Sequence, residues 1–262
     1  MAALDRIEAF NLAQIEMLNQ RGGRTLSVVD LLNAGTLSAE MAAYALCAVA
    51  GGSSVITAAR PGGAGKTTLM AALLAFLPPG EKLRTVGAGA SRVPRGHSDH
   101  RAECLLSHEI GRGHYFGYIW GAEAHVFFQA LRRGVRIASN VHADDLEDLF
   151  RELTAPDIDA GPFELDRLDL ILFMAMRHGA DGPIRRVSAL HGPRHALLWA
   201  WDEGPDRFVW RAEGKPQDHL PERGPVRFEA ALGFIEGLAS AGVTEYAQVR
   251  AQTLRFLERV GR

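Results

Sequence analysis

Residues 56–76, ITAARPGGAGKTTLMAALLAF, run from an apolar segment through a glycine cluster to Gly65-Lys66-Thr67 and then into a helical apolar pattern. Strand, glycine-rich turn and helix in that order make an anion site, because backbone N–H groups and the helix dipole converge on one point. Gly62, Gly63, Ala64 and Gly65 would turn successive N–H groups inward, and Lys66 would reach the β- and γ-phosphates of a nucleotide. The Thr67 hydroxyl is of the kind that holds Mg²⁺, an oxygen-preferring ion. Thr68 takes a supporting place in the loop, packing or capping. The general pattern G-x-x-x-x-G-K-[ST] opens on glycine, where this chain has Arg60 followed by Pro61. Proline stiffens the turn by fixing φ, and residues 62–67 keep their N–H groups. The expectation is a site for ATP with Mg²⁺.

Such a loop needs a sheet to hold it. Residues 54–59 read as a short buried strand, and an amphipathic helix over 1–20 (with Leu4, Ile7, Phe10, Leu12 and Ile15 near one face) and two further helices precede it. Gly35 stops the second of these, and Ser38 is placed to cap the third. After the Lys66 helix, Pro78-Pro79-Gly80 forces a turn. Residues 83–102 read as a short strand and a long loop, and residues 104–110 and 115–120 as strands. A helix over 122–133, a strand over 135–141 and a helix over 145–153 follow. Strands at 168–176, 184–190, 196–201 and 207–210, separated by Gly- and Pro-bearing turns, read as an antiparallel meander. Helical period returns from Phe228. The expected class is α/β, with a mainly parallel sheet, an antiparallel C-terminal extension and a helical tail. The expected organisation is a helical lead over 1–50, a nucleotide-binding core over 51–155, a meander over 156–215 belonging to the same domain, and a tail over 216–262.

Bulk properties narrow the function. The chain has 262 residues, 47% of them hydrophobic and 23% charged, with net charge −2. That balance gives no general affinity for nucleic acid or anionic lipid, so no nucleic-acid partner is expected. Arginine clusters at Arg92, Arg95 and Arg101 and at Arg132, Arg133 and Arg136 read as solvated surface. Cys47 and Cys104 alone make no disulfide framework, which points to a reducing cytosol. No stretch has the length of a membrane span.

Several segments, in order, resemble the ATPase domain of the type II/type IV secretion superfamily, especially the motors of archaeal flagella and tight-adherence pili. Leu26-Ser27-Val28-Val29-Asp30-Leu31-Leu32 with Gly35-Thr36-Leu37-Ser38-Ala39-Glu40 is similar to that family's lead-in to the phosphate loop. Gly121-Ala122-Glu123-Ala124 with Phe128-Gln129-Ala130-Leu131 is similar to the helix after its Walker B strand, and Asn140-Val141-His142-Ala143 to its histidine box, Thr-x-His-Ala. Residues 168–172, Asp181-Gly182 and Arg185-Arg186-Val187 fit its C-terminal strands, so the likeness covers residues 25–262. The resemblance implies a RecA-like fold and a homo-oligomeric ring, usually a hexamer, with ATP between subunits. It also implies a cytoplasmic location, at the inner face of the membrane where a membrane-embedded secretion or pilus platform protein would be the partner. Family members carry an additional N-terminal domain, and here only the helical lead stands before the ATPase part.

Two acids of that family are replaced. Aligned on Gly121, Tyr118 falls where the family has the glutamate of Gly-Glu-Val-Arg-Gly, and Thr85-Val86-Gly87-Ala88 has no carboxylate where the family has Ile-Glu-Asp. Hydrolysis needs an acid to orient water. The apolar run from Cys104 ends in Ser107-His108-Glu109. Were it to lie beside the phosphate-loop strand, Glu109 would orient water and His108 contact phosphate; otherwise Glu109 opens an exposed loop. His142 would hydrogen-bond the γ-phosphate or the water, or is a core histidine. Arg95, Arg101 and Arg112 are candidates for a trans-acting arginine, with surface charge as the simpler reading. His97, Asp99, His100 and Glu103 are too closely spaced in a loop to read as a metal site, and Trp199, Trp201 and Trp210 read as packing. Two functions stay open: an ATPase that drives subunit motion in a ring, and a non-hydrolysing nucleotide-binding subunit.

Overall fold

The computed structural model describes residues 3–19, 22–87, 102–179, 182–221 and 224–261. Its elements, in chain order, are α1 (Ala3–Leu18), α2 (Val28–Asn33), α3 (Ala39–Ala50), β1 (Val55–Ala58), α4 (Lys66–Leu74), β2 (Lys82–Thr85) and β3 (Glu103–Ile110). Then come β4 (Tyr118–Ile119), α5 (Ala122–Gln129), β5 (Arg136–Val141), α6 (Leu146–Leu153), α7 (Pro162–Leu165), β6 (Leu170–Gly179) and β7 (Gly182–His191). β8 (Leu197–Asp202), β9 (Arg207–Trp210), α8 (Phe228–Ser240) and α9 (Tyr246–Val260) complete the chain.

Among the described residues the nine strands form one sheet, in the order β2-β3-β5-β1-β6-β7-β8-β9, with β4 pairing onto the far end of β3. From β2 to β6 every pairing is parallel, and from β6 to β9 every pairing is antiparallel. This is the α/β class with a mainly parallel sheet and an antiparallel meander expected from the sequence. One placement differs: the Glu109 strand does not lie directly beside the phosphate-loop strand, because β5 runs between them.

Alternation along β6 shows how the sheet separates two cores. Leu170, Leu172 and Met174 join the core under α1–α4, α8 and α9, whereas Ile171 and Phe173 join the one under α5 and α6. Strands buried on both faces read as unbroken apolar runs, which is why 170–174 shows no period of two in polarity. α3 is held at its start by Ser38, whose hydroxyl accepts from the Met41 N–H, and ten of its twelve residues are buried.

Several expectations change in detail. In α1 the buried positions are Ile7, Asn11, Ile15 and Leu18, while Leu4 and Phe10 lie outside. Asn11 is polar yet inward because it exchanges hydrogen bonds with the Glu81 carbonyl and the Leu83 N–H, fixing α1 to β2. The strand expected over 115–120 shortens to β4, since residues 111–117 turn back on β3. Arg136 is not solvated surface: it is half-buried, pairs with Glu81 at 2.7 Å and donates to the Val49 carbonyl. Trp199 packs edge-on between Tyr44 and Trp210, as expected for meander packing. Arg92, Arg95, Arg101, His97, Asp99 and His100 lie outside the described residues. No helix among the described residues is long and apolar enough to cross a membrane.

The tail is fastened to the phosphate-loop helix through Arg250. Its guanidinium is buried, grips Glu8 of α1 with two nitrogens at 2.8 and 2.9 Å, and donates to the Ala75 and Leu77 carbonyls beyond α4. Replacing it strands a half-buried carboxylate and two carbonyls, which costs about 3 kcal/mol. We therefore expect Arg250→Met to lower the urea midpoint with the m-value unchanged. An unchanged midpoint would show that the tail is not held this way.

Candidate functional site

The site lies at the C-terminal ends of β1, β5 and β3, where parallel strands deliver their side chains to one edge. The chain leaves β1 through residues 59–65 and enters α4 at Lys66. Gly63 and Gly65 sit at φ +84° and +100°, the left-handed conformation that lets a loop wrap its N–H groups around an anion. Room is limited at Gly65 as well, for a Cβ there would come within 3.3 Å of both Arg185 Cδ and Met174 Cε.

Lys66 is only 7% exposed. Its ammonium donates to the Ala59 carbonyl at 2.8 Å and lies 3.4 Å from His142 Nδ1. On the other side of the ring, His142 Nε2 is 2.7 Å from Oε1 of Glu109, so the ring N–H donates to the carboxylate. Nδ1 also faces the Arg60 carbonyl at 3.2 Å. A neutral ring with its proton on Nε2 accepts from Lys66, and an imidazolium donates to Arg60 instead. The sequence candidates Lys66, His142 and Glu109 are thus brought into one continuous polar chain across three strands.

Two features of the backbone aim Glu109 at His142. Between Ser107 and Ile110 the pairing of β3 with β5 slips by one residue, a bulge located at His108 and Glu109. Bulges re-aim a side chain in this way. Beneath it, Asn140 Nδ2 donates to the His108 carbonyl at 2.6 Å, while Asn140 Oδ1 receives the Thr57 hydroxyl from β1. Thr57, Asn140 and His108 therefore bind β1, β5 and β3 together one layer below the site.

His108 itself points elsewhere. Its ring stacks edge-on against Phe116 at 5.4 Å and fills the space that a Cβ on Gly117 would need, 2.3 Å from the ring. The Gly117 carbonyl accepts from the His108 N–H at 2.7 Å, closing the 111–117 turn onto the strand. The contact with phosphate expected of His108 is therefore replaced by a packing role. Gly87 explains why no acid stands at the end of β2: a Cβ there would lie 2.7 Å from the Gly117 nitrogen and 2.8 Å from its Cα. Tyr118 pairs with Glu109 across β3–β4, and its ring leans on Tyr115.

Arg60 takes a role that its sequence position did not reveal. Its N–H donates to Asp144 Oδ1 at 3.0 Å, and its guanidinium pairs with Asp148 and Asp144. Phosphate loop and β5–α6 turn are thereby joined just beyond His142. Arg112 is exposed, paired with Asp157 and lying over the Trp120 ring. Glu103 pairs with Arg84, and no cluster able to hold a metal occurs among the described residues. Thr67 and Thr68 lie half-buried on the first turn of α4. The site residues that sequence reasoning missed are Thr57, Asp144, Asp148 and Arg185. Thr57 carried a signal, being polar inside a buried strand; the others carried none.

No protein-family model matches the chain. It is 26% identical over 274 residues to an uncharacterized protein of Methanocaldococcus jannaschii, MJ0900, an alignment covering 89% of this chain and 49% of that one. A second uncharacterized protein of the same organism, MJ1287, is 28% identical over 160 residues, covering 54% of this chain and 59% of its own. The chain thus spans about half the length of the curated relatives it matches. Among solved structures it is similar to the VirB11 ATPase from the Brucella suis type IV secretion system, with TM-score 0.38 and 19% identity over 62% of this chain and 54% of that one. It is also similar to the Legionella pneumophila ATPase DotB, with TM-score 0.40 and 13% identity over 88% of this chain and 68% of that one. Both are distant likenesses.

Burial pushes the His108 imidazole down to about 4. An unfolded histidine titrates near pH 6.5. Between those values the unfolded chain takes up a proton that the folded chain refuses, so the stability His108 contributes is full above pH 6.5 and lost toward pH 4. His191 is pushed down by burial with the same sign, and Asp169, pushed up to about 6 by burial, works the opposite way. The melting temperature of the wild type should accordingly fall more steeply from pH 6.5 to 4.5 than that of His108→Phe. Parallel slopes would contradict a buried neutral ring.

Proposed function

We propose that the chain is an ATP-binding subunit of a secretion- or pilus-type ATPase with a RecA-like core, hydrolysing ATP to drive subunit motion in a homo-oligomeric ring. The observation that carries this reading is the polar chain Lys66–His142–Glu109 beside a glycine loop in left-handed conformation. An ammonium and a nest of N–H groups suit the polyphosphate. A carboxylate held by a histidine suits the attacking water, which needs an oriented acceptor for its proton.

The residues present fit a magnesium nucleotide in part. Thr67 follows Lys66 on the first turn of α4 and would supply a hydroxyl to Mg²⁺, which would neutralise charge on the β- and γ-oxygens. Gly62, Gly63, Ala64, Gly65 and Lys66 would hold the phosphates, with Thr68 in support. Phosphate oxygens would replace the Ala59 carbonyl as the partner of Lys66. Glu109, held by the His142 ring, would take the proton of water, and His142 would then stand where it can donate to the γ-phosphate. The lead (1–50), core (51–155), meander (156–215) and tail (216–262) would work as one subunit of a ring, often a hexamer. The cytoplasmic face of a membrane, with a membrane-embedded platform protein as partner, is the setting this reading implies.

A second reading, a subunit that binds ATP without hydrolysing it, is favoured by one observation: Gly87 has no room for the acid expected there. The two readings part at Glu109. On the ATPase reading, Glu109→Gln keeps MgATP binding within about twofold and lowers phosphate release about 100-fold or more, the loss typical of a missing general base. Lys66→Ala should lose both, and with them the rise in melting temperature that bound MgATP gives. Full turnover in Glu109→Gln would remove that residue from the mechanism.

A further inference from the structure

Among the described residues, the other half-buried and buried arginines each pair with a carboxylate. Arg84 has Glu103, Arg136 has Glu81, Arg177 and Arg186 share Asp206, and Arg250 has Glu8. Arg185 departs from that rule. It lies half-buried on β7, and its Nε donates to the Gly63 carbonyl at 2.8 Å, in the middle of the phosphate loop. Its stem lies against Gly65, where a Cβ would meet Cδ at 3.3 Å. Among the described residues no carboxylate pairs with it.

Removing a guanidinium partly from water without a counter-charge is costly. Gly63, whose carbonyl it holds, and Gly65, against which its stem lies, both sit in the left-handed conformation of an anion nest. The charge has its natural partner in a ligand. Building on the nucleotide reading above, we infer that Arg185 is a positioning residue for the polyphosphate of a nucleoside triphosphate. It fixes the phosphate loop through Nε and adds a second positive charge beside that of Lys66. A guanidinium suits both tasks, since one nitrogen can hold a carbonyl while the delocalised charge acts on phosphate.

The position of Arg185 ties two parts of the fold. β7 belongs to the antiparallel extension, opposite β6 with Arg185 facing Met176, and Met174 of β6 touches the Gly65 position from the same side. Next along β7, Arg186 donates to the Ala34 carbonyl between α2 and α3 and grips Asp206 after β8. A loop that tightens on phosphate therefore pulls on the meander and the helical lead through two adjacent arginines.

The test uses the full-length chain, with MgATP titrated calorimetrically into wild type, Arg185→Gln, Arg185→Lys and Lys66→Ala at two salt concentrations. Melting temperatures without nucleotide check that each variant folds. We expect Arg185→Gln to weaken MgATP binding about tenfold, Arg185→Lys to weaken it less, and the salt dependence to flatten in Arg185→Gln because one cation is gone. A hydrogen bond to Gly63 alone would survive in glutamine, whose amide also donates, and would leave the salt dependence unmoved. Wild-type affinity in Arg185→Gln, or equal loss in Gln and Lys, overturns the inference while Lys66-dependent binding stands. If wild type and Lys66→Ala bind alike, the nucleotide reading itself fails and Arg185 goes with it.

Discussion

One buried positive charge organises the site. The Lys66 ammonium stands at the start of α4 with its solvent almost wholly removed, and the protein around it supplies a carbonyl, an imidazole and, beyond the imidazole, a carboxylate. A lone ammonium in such a place would be costly. Fixing it demands that β1, β5 and β3 end at the same level, because Ala59, His142 and Glu109 each come from the end of a different strand. Parallel neighbours give that edge, and the order of the sheet gives the spacing: with β5 interposed, Glu109 reaches the lysine through a histidine.

That level is enforced from below. Thr57, Asn140 and the His108 carbonyl form a buried polar link across the three strands, and buried polar links of this kind specify one register because any slip leaves a group unpaired. Above them, the bulge in β3 and the glycines at 87 and 117 let two backbones approach within Cβ distance. A side chain at residue 87, just beyond β2, would meet the Gly117 backbone, close to the bulge that places Glu109.

Much of this was legible in the sequence, and the limits have physical causes. The glycine loop between β1 and α4 was readable because its signal is local, with glycines, lysine and threonine within one turn. The meander was readable from its turns, and the two-sided burial of β6 from its unbroken apolar run. Glu109 was identified as an acid ending an apolar strand, but not its neighbour, since sequence does not state the order of strands in a parallel sheet. Tyr118, set by Gly121 in the place of the family's glutamate, lies on β4 opposite Glu109, a pairing across strands that sequence does not state. Arg60 looked like a defect of the loop motif until its partners, Asp144 and Asp148, more than 80 residues away in sequence, were in view. Arg185 is farther still, 122 residues from the carbonyl it holds.

On the reading proposed above, the chain of Lys66, His142 and Glu109 does hydrolytic chemistry. The decisive measurement is phosphate release from MgATP by the wild-type chain, followed across a range of protein concentrations against a Lys66→Ala blank. Release above the blank that rises per subunit with concentration is the predicted result, as subunits assemble into a working ring. Nucleotide-dependent stabilisation with no release above the blank at any concentration would contradict it, leaving a cradle that holds ATP without cleaving it.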